Sequence, residues 1–369
     1  MKIYVLGTRG IPGIQGGIEK HCEELYPRIA RYGINFTLFA RTSYVAKALR
    51  TPTWNNISIR YIWAPRKKSI ETISHTSIAS FICLFERPDI AHFHNTGPAV
   101  FIPLLRLFGI RTVLTYHNVS YTHQKWGLFA KLILRLGEHF SAKFADKIIA
   151  VSAITKEMIQ NKYGRKDIEV IPNGVIIFPK TNSTANIEKN SLKHGGYVFA
   201  ASRFTPEKGI LDLISAYKIL KKPDFKLVIA GDADYETDYS KSVKNSAKEY
   251  KDIILTGFLE GEILREYFSH TGLFVLPSHF EGLSIALLDA LSYGLPTLVS
   301  DIPQNRSIGL DEKRYFKAGD IGALAEKMNE LWKSGICDEE KNRYEKMMKE
   351  LYDWDNIANR TKEVYEQIR

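Results

Sequence analysis

Two carboxylates eight residues apart, Glu281 and Asp289, open the chemical reading of this chain. They lie in PSHFEGLSIALLDALSYGLP (277–296), where a strand pattern stops at Pro277 and a polar turn leads to Gly282. A helix opening at Gly282 stands Glu281 beside the free backbone N–H groups of Gly282, Leu283 and Ser284. Eight residues make about 2.2 helical turns, so Asp289 falls further along roughly the same face. Two acids so placed suit the binding of two pairs of hydroxyl groups; the plainer alternative is one capping Glu and one unrelated Asp. A second cluster is RFTPEKG (203–209), in which Arg203 follows a strand pattern and Lys208 stands at a helix start. Two cations converging on a helix N-terminus can clamp a diphosphate; the alternative is a pair of solvated side chains.

A third candidate is the glycine-rich GTRGIPGIQGGIEKH (7–21), between a strand pattern and a helix expected to start near Gly17. Glycines let backbone approach a phosphate closely, and the helix start presents N–H groups to it. A tight turn with no ligand is the alternative. Its glycines do not follow GxGxxG, and the next strand ends in Ala40-Arg41 with no acid for a ribose hydroxyl, which argues against a nicotinamide dinucleotide. Asp232-Ala-Asp234 mimics a metal-binding acid pair, but it sits in a GDAD turn after a strand, and no metal is implied.

These loops need a frame to hold them. Strand-like runs recur at 2–6, 35–40, 57–64, 89–94, 110–116, 147–152 and 168–172, with helical periodicity at 17–32, 69–86, 126–144 and 153–163. After a polar stretch at 180–196, read as a linker, strands resume at 197–202, 225–231, 252–257, 273–277 and 296–300. Such alternation predicts an α/β fold of two doubly wound, Rossmann-like domains, with ligands beyond the carboxyl ends of the strands. The expected division is 1–178, 179–352 and a last helix, 353–369, crossing back to the first domain.

At 369 residues two domains are the default, and 44% hydrophobic with 25% charged residues is a globular composition. Three scattered cysteines without a CxxC pair argue against a disulfide framework or a zinc site and for a cytosolic setting. The N-terminal MKIYVLGTRG leads directly into a strand pattern, unlike a signal peptide. The most apolar runs, 77–85 and 99–110, are too short to span a bilayer and read as core-facing helices. Residues 1–180 hold 25 Lys and Arg against 11 Asp and Glu, net +14, while the remainder is net −4. A basic first half suggests an anionic partner. Within it, residues 41–68 interleave Arg and Lys with Tyr and Trp, which suits a membrane interface or equally a solvated edge. No nucleic-acid-binding motif accompanies the charge.

Taken together, these motifs resemble glycosyltransferase family 4, the retaining transferases of GT-B fold, in which two Rossmann-like domains face each other across a cleft. The resemblance runs through the glycine-rich opening, IPNGV (171–175), RFTPEKG (203–209), the Glu281 segment and PTLVSDIP (296–303). GTRGIP (7–12), GGIEKHCEEL (16–25) and YHNVSYTHQKWG (116–127) further resemble a bacterial rhamnosyltransferase-like branch. The resemblance implies that Arg203 and Lys208 hold a donor diphosphate, with Gly16 and Gly17 meeting it from the other domain. It implies that Glu281 reaches the donor sugar, that Gly282, Leu283 and Ser284 offer backbone contacts, and that Asp289, where the family usually has Glu, binds ribose. His117 matches the family's histidine near the reacting sugar; as a lone strand-end histidine it would otherwise read as structural. His117, Glu281, Arg203 and Lys208 are thus the expected catalytic set.

The activity so implied is front-face retaining transfer of a hexose or deoxyhexose, rhamnose among them, from a dTDP-, UDP- or GDP-sugar. The acceptor would be a glycan or lipid-linked saccharide in bacterial surface polysaccharide synthesis, with no metal, no cofactor and no nucleic acid. The implied location is cytoplasmic, peripheral on the inner membrane face. Two competing readings are a nucleotide-sugar epimerase of the same fold and a non-catalytic nucleotide-sugar-binding scaffold.

Overall fold

The computed structural model describes residues 1–65, 70–118, 128–221 and 223–369, with backbone alone at 128–130. The chain forms two compact units, Met1–Asn173 with Trp354–Arg369, and Gly174–Asp353.

In the first unit eight strands form one sheet: β1 (Lys2–Leu6), β2 (Asn35–Arg41), β3 (Thr53–Trp54), β4 (Ile57–Ile62), β5 (Ile90–His94), β6 (Arg111–Tyr116), β7 (Lys147–Ala150) and β8 (Ile168–Val170). Their order is β3-β4-β2-β1-β5-β6-β7-β8, and every pair is parallel except β3 with β4. All seven strand runs read from the sequence are present, and the two-residue edge strand β3 is an addition. Central strands are buried on both faces: Ile3, Tyr4, Val5 and Leu6 are all inaccessible to solvent. Continuous apolar runs of this kind are what a parallel sheet flanked by helices requires.

Helices Gly17–Ala30, Glu71–Glu86 and Ala153–Tyr163 follow β1, β4 and β7. The helix Trp354–Glu366, from the end of the chain, packs on Gly17–Ala30 within this same unit. The run 77–85 does not simply face the core, as its apolarity suggested. Cys83 and Ala79 are buried, but Ile78, Phe81 and Phe85 are 40%, 52% and 86% exposed. Likewise Leu107 and Phe108, in the run 99–110, lie on the surface.

The second unit is a six-stranded sheet of β9 (Tyr197–Ala201), β10 (Lys226–Ala230), β11 (Ile253–Gly257), β12 (Leu273–Leu276), β13 (Thr297–Ser300) and β14 (Tyr315–Phe316), all parallel, in the order β11-β10-β9-β12-β13-β14. The chain winds outward in both directions from β9, so the carboxyl ends of β9 and its neighbour β12 form the topological switch point. The stretch 180–196 is not a bare linker. Its Ile187 and Leu192 are buried, and the Glu266 carboxylate accepts the backbone N–H groups of Asn186 and Ile187 at 2.5 and 2.9 Å.

Candidate active site

In the second unit, Arg203 and Lys208 follow β9, and Glu281 follows β12, so the switch point brings them to one end of the sheet. After β9 the chain makes a 3₁₀ turn, Pro206–Lys208, and enters the helix Ile210–Ile219 through Gly209, at φ +63°. A Cβ at Gly209 would stand 2.1 Å from the Pro277 carbonyl oxygen, so a side chain there cannot coexist with the loop after β12. That loop is tied back to the same turn, because the Glu207 carbonyl accepts the His279 N–H at 2.9 Å. The His279 ring reaches Asp212 at 2.8 Å.

This lacing places the Lys208 ammonium 2.7 Å from both oxygens of Glu281. The Ser278 hydroxyl donates to the same carboxylate at 2.6 Å, and Glu281 is almost wholly buried. A buried carboxylate gripped by an ammonium and a hydroxyl donor is fixed in orientation. Lys208 has three protons, so it can serve a second anion without leaving Glu281. Arg203 stands apart from this pair and donates to Asp234 at 3.0 Å. Asp232 is bound by Lys244 at 2.9 Å and by the Ala233 N–H at 2.7 Å. Both carboxylates of the GDAD turn are therefore engaged by protein groups.

The segment 282–284 differs from its sequence reading. The helix begins at Ile285, not Gly282, and runs to Ser292 with Ser284 as its N-cap, whose hydroxyl accepts the Leu287 N–H at 3.4 Å. Gly282 and Leu283 are loop residues, and Glu281 is not on the helix. The helical-face argument linking Glu281 to Asp289 therefore fails: Asp289 is a half-buried residue in the middle of a short helix.

In the first unit Gly16 and Gly17 stand where the loop after β1 meets the helix Gly17–Ala30. Gly16 has φ +151°, which strains any other residue, and a Cβ there would displace the Glu19 carboxylate 2.0 Å away. Glu19 Oε1 accepts the Arg9 N–H at 3.0 Å, which fixes the loop against the first helical turn. Gly17, in contrast, faces open space.

One turn further along this helix is His21, and it leads to a group the sequence reading missed. His92 and His94 alternate along β5, so they share a face of the sheet. His92 stacks on His94, and His94 stacks on His117, at centroid separations of 4.7 and 5.2 Å. His94 Nδ1 and His117 Nε2 are hydrogen-bonded at 2.9 Å, and the His21 ring meets that of His117 edge-on at 4.8 Å. His21 Nδ1 donates to Asn173 Oδ1 at 2.9 Å. Burial holds His21 down to about 4 and His92 to about 3, and holds His94 and His117 well below the ordinary imidazole value. All four rings are accordingly neutral at pH 7. Ring nitrogens of His21, His94 and His117 lie within 4.8 Å of one another. The His94–His117 distance fits an N–H···N hydrogen bond between two neutral rings.

Of the stretch 41–68, residues 66–68 lie outside the described residues, as do 119–127 of the 116–127 motif. The rest of the basic stretch is largely engaged: Arg41 is buried beside Glu71 at 3.6 Å, Arg50 stacks over Tyr61, and Arg60 pairs with Glu86 at 2.5 Å. Trp63 remains 65% exposed.

Known proteins agree with this division of the chain. Residues 15–177 match the family Glycosyltransferase Family 4, and residues 182–351 match Glycosyl transferases group 1. The UDP-Gal:alpha-D-GlcNAc-diphosphoundecaprenol alpha-1,3-galactosyltransferase of Escherichia coli is 30% identical over 240 residues, 62% of this chain and 61% of that one. The chain thus spans about three fifths of this relative's length. Among solved structures, sucrose-phosphate synthase from Thermosynechococcus elongatus superposes with a TM-score of 0.84 at 18% identity, over 100% of this chain and 98% of that one. Anabaena HepE, in complex with UDP-glucose, gives 0.77 at 18% identity over 100% of both chains. At these identities the structural likeness is one of fold.

Proposed function

We propose that this chain of GT-B fold is a glycosyltransferase of the family 4 type and moves a hexose or deoxyhexose from a nucleotide-sugar to a lipid-linked or oligosaccharide acceptor, with retention at the anomeric carbon. The observation that carries this is the Lys208–Glu281–Ser278 group at the switch point of the second sheet, with Arg203 on the adjoining strand end. Arg203 and Lys208 bind the donor diphosphate, and Glu281 takes the sugar hydroxyls. Backbone N–H groups of Gly282, Leu283 and Ser284 assist, and Asp289 serves the ribose. From the first unit, Gly16 and Gly17 contribute backbone to the phosphates, and His117 meets the reacting sugar. The HepE complex with UDP-glucose and the lipid-diphosphate acceptor named for the galactosyltransferase support donor and acceptor class. A rhamnosyl donor and a place in surface polysaccharide synthesis rest on the motifs of the first half of the chain alone.

In this reading the leaving diphosphate takes the acceptor hydroxyl's proton as its bond to the anomeric carbon breaks, and the acceptor oxygen bonds on the same face. The protein's share is positioning, together with stabilisation of the departing diphosphate by Arg203 and Lys208. No metal or cofactor enters this scheme.

Peripheral contact with the inner membrane face follows from the acceptor class, and the Ile78, Phe81 and Phe85 face of the helix Glu71–Glu86 supports it. No helix among the described residues is long and apolar enough to cross a membrane.

A panel of nucleotide-sugars screened by thermal shift tests the proposal. The cognate donor at about a hundred times its Kd should stabilise the fold by about 2.7 kcal/mol. Arg203→Ala and Lys208→Ala should each weaken donor binding on the order of tenfold or more. Unaltered affinity in both variants would remove the site. Nucleoside diphosphate released only in the presence of acceptor separates transfer from epimerisation, and binding without turnover would mark a scaffold.

A further inference from the structure

The protons of the histidine column can be counted. A neutral imidazole has one N–H and one bare nitrogen, and each hydroxyl has one proton to donate. The contacts run in a line. Thr115 Oγ1 lies 2.8 Å from His92 Nε2. His92 Nδ1 lies 2.6 Å from the Tyr365 hydroxyl and 3.1 Å from that of Tyr26. Tyr26 Oη lies 2.5 Å from His94 Nε2, and His94 Nδ1 lies 2.9 Å from His117 Nε2. Every member is buried.

Protons can be arranged along this line in two directions. If His117 donated through Nε2, each donor would push the next until His92 Nε2–H pointed at Thr115. The Thr115 hydroxyl has His92 as its sole side-chain partner among the described residues, so its own proton would then be stranded in the interior. A buried donor without an acceptor is the arrangement that folded proteins avoid most strictly. In the opposite direction Thr115 is satisfied, and the Tyr26 proton has His94 Nε2 to itself instead of sharing the His92 Nδ1 lone pair with Tyr365. Thr115 donates to His92 Nε2, and His92 Nδ1–H donates to a tyrosine oxygen. Tyr26 donates to His94 Nε2, and His94 Nδ1–H to His117 Nε2. The last link leaves the His117 proton on Nδ1.

We infer that the buried line from Thr115 through His92, Tyr26 and His94 fixes His117 as the Nδ1–H tautomer, so that His117 offers its ligand a hydrogen-bond donor and not a base. His117 is 7% exposed, and its Nδ1 has no hydrogen bond among the described residues. That His117 faces the donor rests on the transferase reading; its tautomer does not. A neutral N–H donor suits a transfer in which the leaving diphosphate itself takes the acceptor proton, since it steadies oxygen without competing for that proton. Thr115, His92, Tyr26 and His94 are positioning residues in this scheme.

Nitrogen-15 spectra of the full chain labelled at histidine test this directly, with the His117 signals identified by their loss in His117→Gln. The expected result is a protonated Nδ1 and a bare Nε2 at His117; the reverse pattern overturns the assignment whatever the activity. Thr115→Val, nearly isosteric, should lower the tautomer ratio on the order of tenfold, the worth of one hydrogen bond, and Thr115→Ser should restore it. An unchanged ratio in Thr115→Val would overturn the part given to Thr115. If His117→Ala left donor affinity and turnover intact, the transferase reading of His117 would fall while the tautomer stood.

Discussion

Arg203 and Lys208 are both held by carboxylates, and the two pairs differ in kind. Lys208 meets both oxygens of a buried Glu281, whereas Arg203 meets one oxygen of Asp234 in a half-buried pair. The first pair aims the lysine; in the proposed reading the second competes with the donor diphosphate for the arginine. Asp234→Asn should therefore tighten binding of the nucleoside diphosphate about fivefold, since a partly exposed ion pair is worth up to about 1 kcal/mol. Titration calorimetry reads this directly, and unchanged or weaker binding would show that Asp234 positions Arg203. The sequence indicated both cations and Glu281 but not their pairing, because Lys208 and Glu281 are 73 positions apart and only the adjacency of β9 and β12 joins them. The histidine column was half legible. Alternation at 92 and 94 marks one face of a strand, but nothing local brings His21 or Tyr365 to it.

At the scale of elements, the strands were readable because parallel strands buried on both faces must be continuously apolar. The helix after β12 was misplaced by three residues for an equally physical reason. Its loop is held open by the Glu207 carbonyl and closed by the Ser284 cap, neither of which leaves a periodic signal. Periodicity also could not show that the helix Glu71–Glu86 is apolar on two sides. Ile78, Phe81 and Phe85 are spaced by three and four, so they form one outward stripe. Burying two phenylalanines in a lipid interface is worth several kcal/mol. The double variant Phe81→Ser with Phe85→Ser should therefore lose at least tenfold in binding to vesicles containing phosphatidylglycerol, with nucleotide binding unaltered. Retained vesicle binding in a flotation assay would dismiss this face as the contact.

For the whole molecule, five buried histidines, His21, His75, His92, His94 and His117, make stability depend on pH, and these five lie in the first unit. Burial lowers His21 to about 4 and His75 and His92 to about 3, against an unfolded value near 6.5. Groups kept neutral in the fold contribute fully above pH 6.5, and that contribution is lost as the pH falls toward 4, because the unfolded chain binds the protons. At pH 5 each such histidine costs about 2 kcal/mol. Calorimetry should show the first unit's transition moving down by more than about 10 °C between pH 7.5 and 5; a stationary transition would refute neutral burial. The chain's course carries a different consequence. The second unit begins at Gly174 and ends at Asp353, and its ends meet: the Val175 N–H donates to the Tyr352 carbonyl at 2.8 Å, and Val175 bridges Asp353. A segment of 180 residues entered and left at a single point is a cassette. Exchanging 174–353 for the corresponding segment of a relative requires two adjacent splices and no new termini, so the second unit can be replaced whole while the first keeps its own sequence.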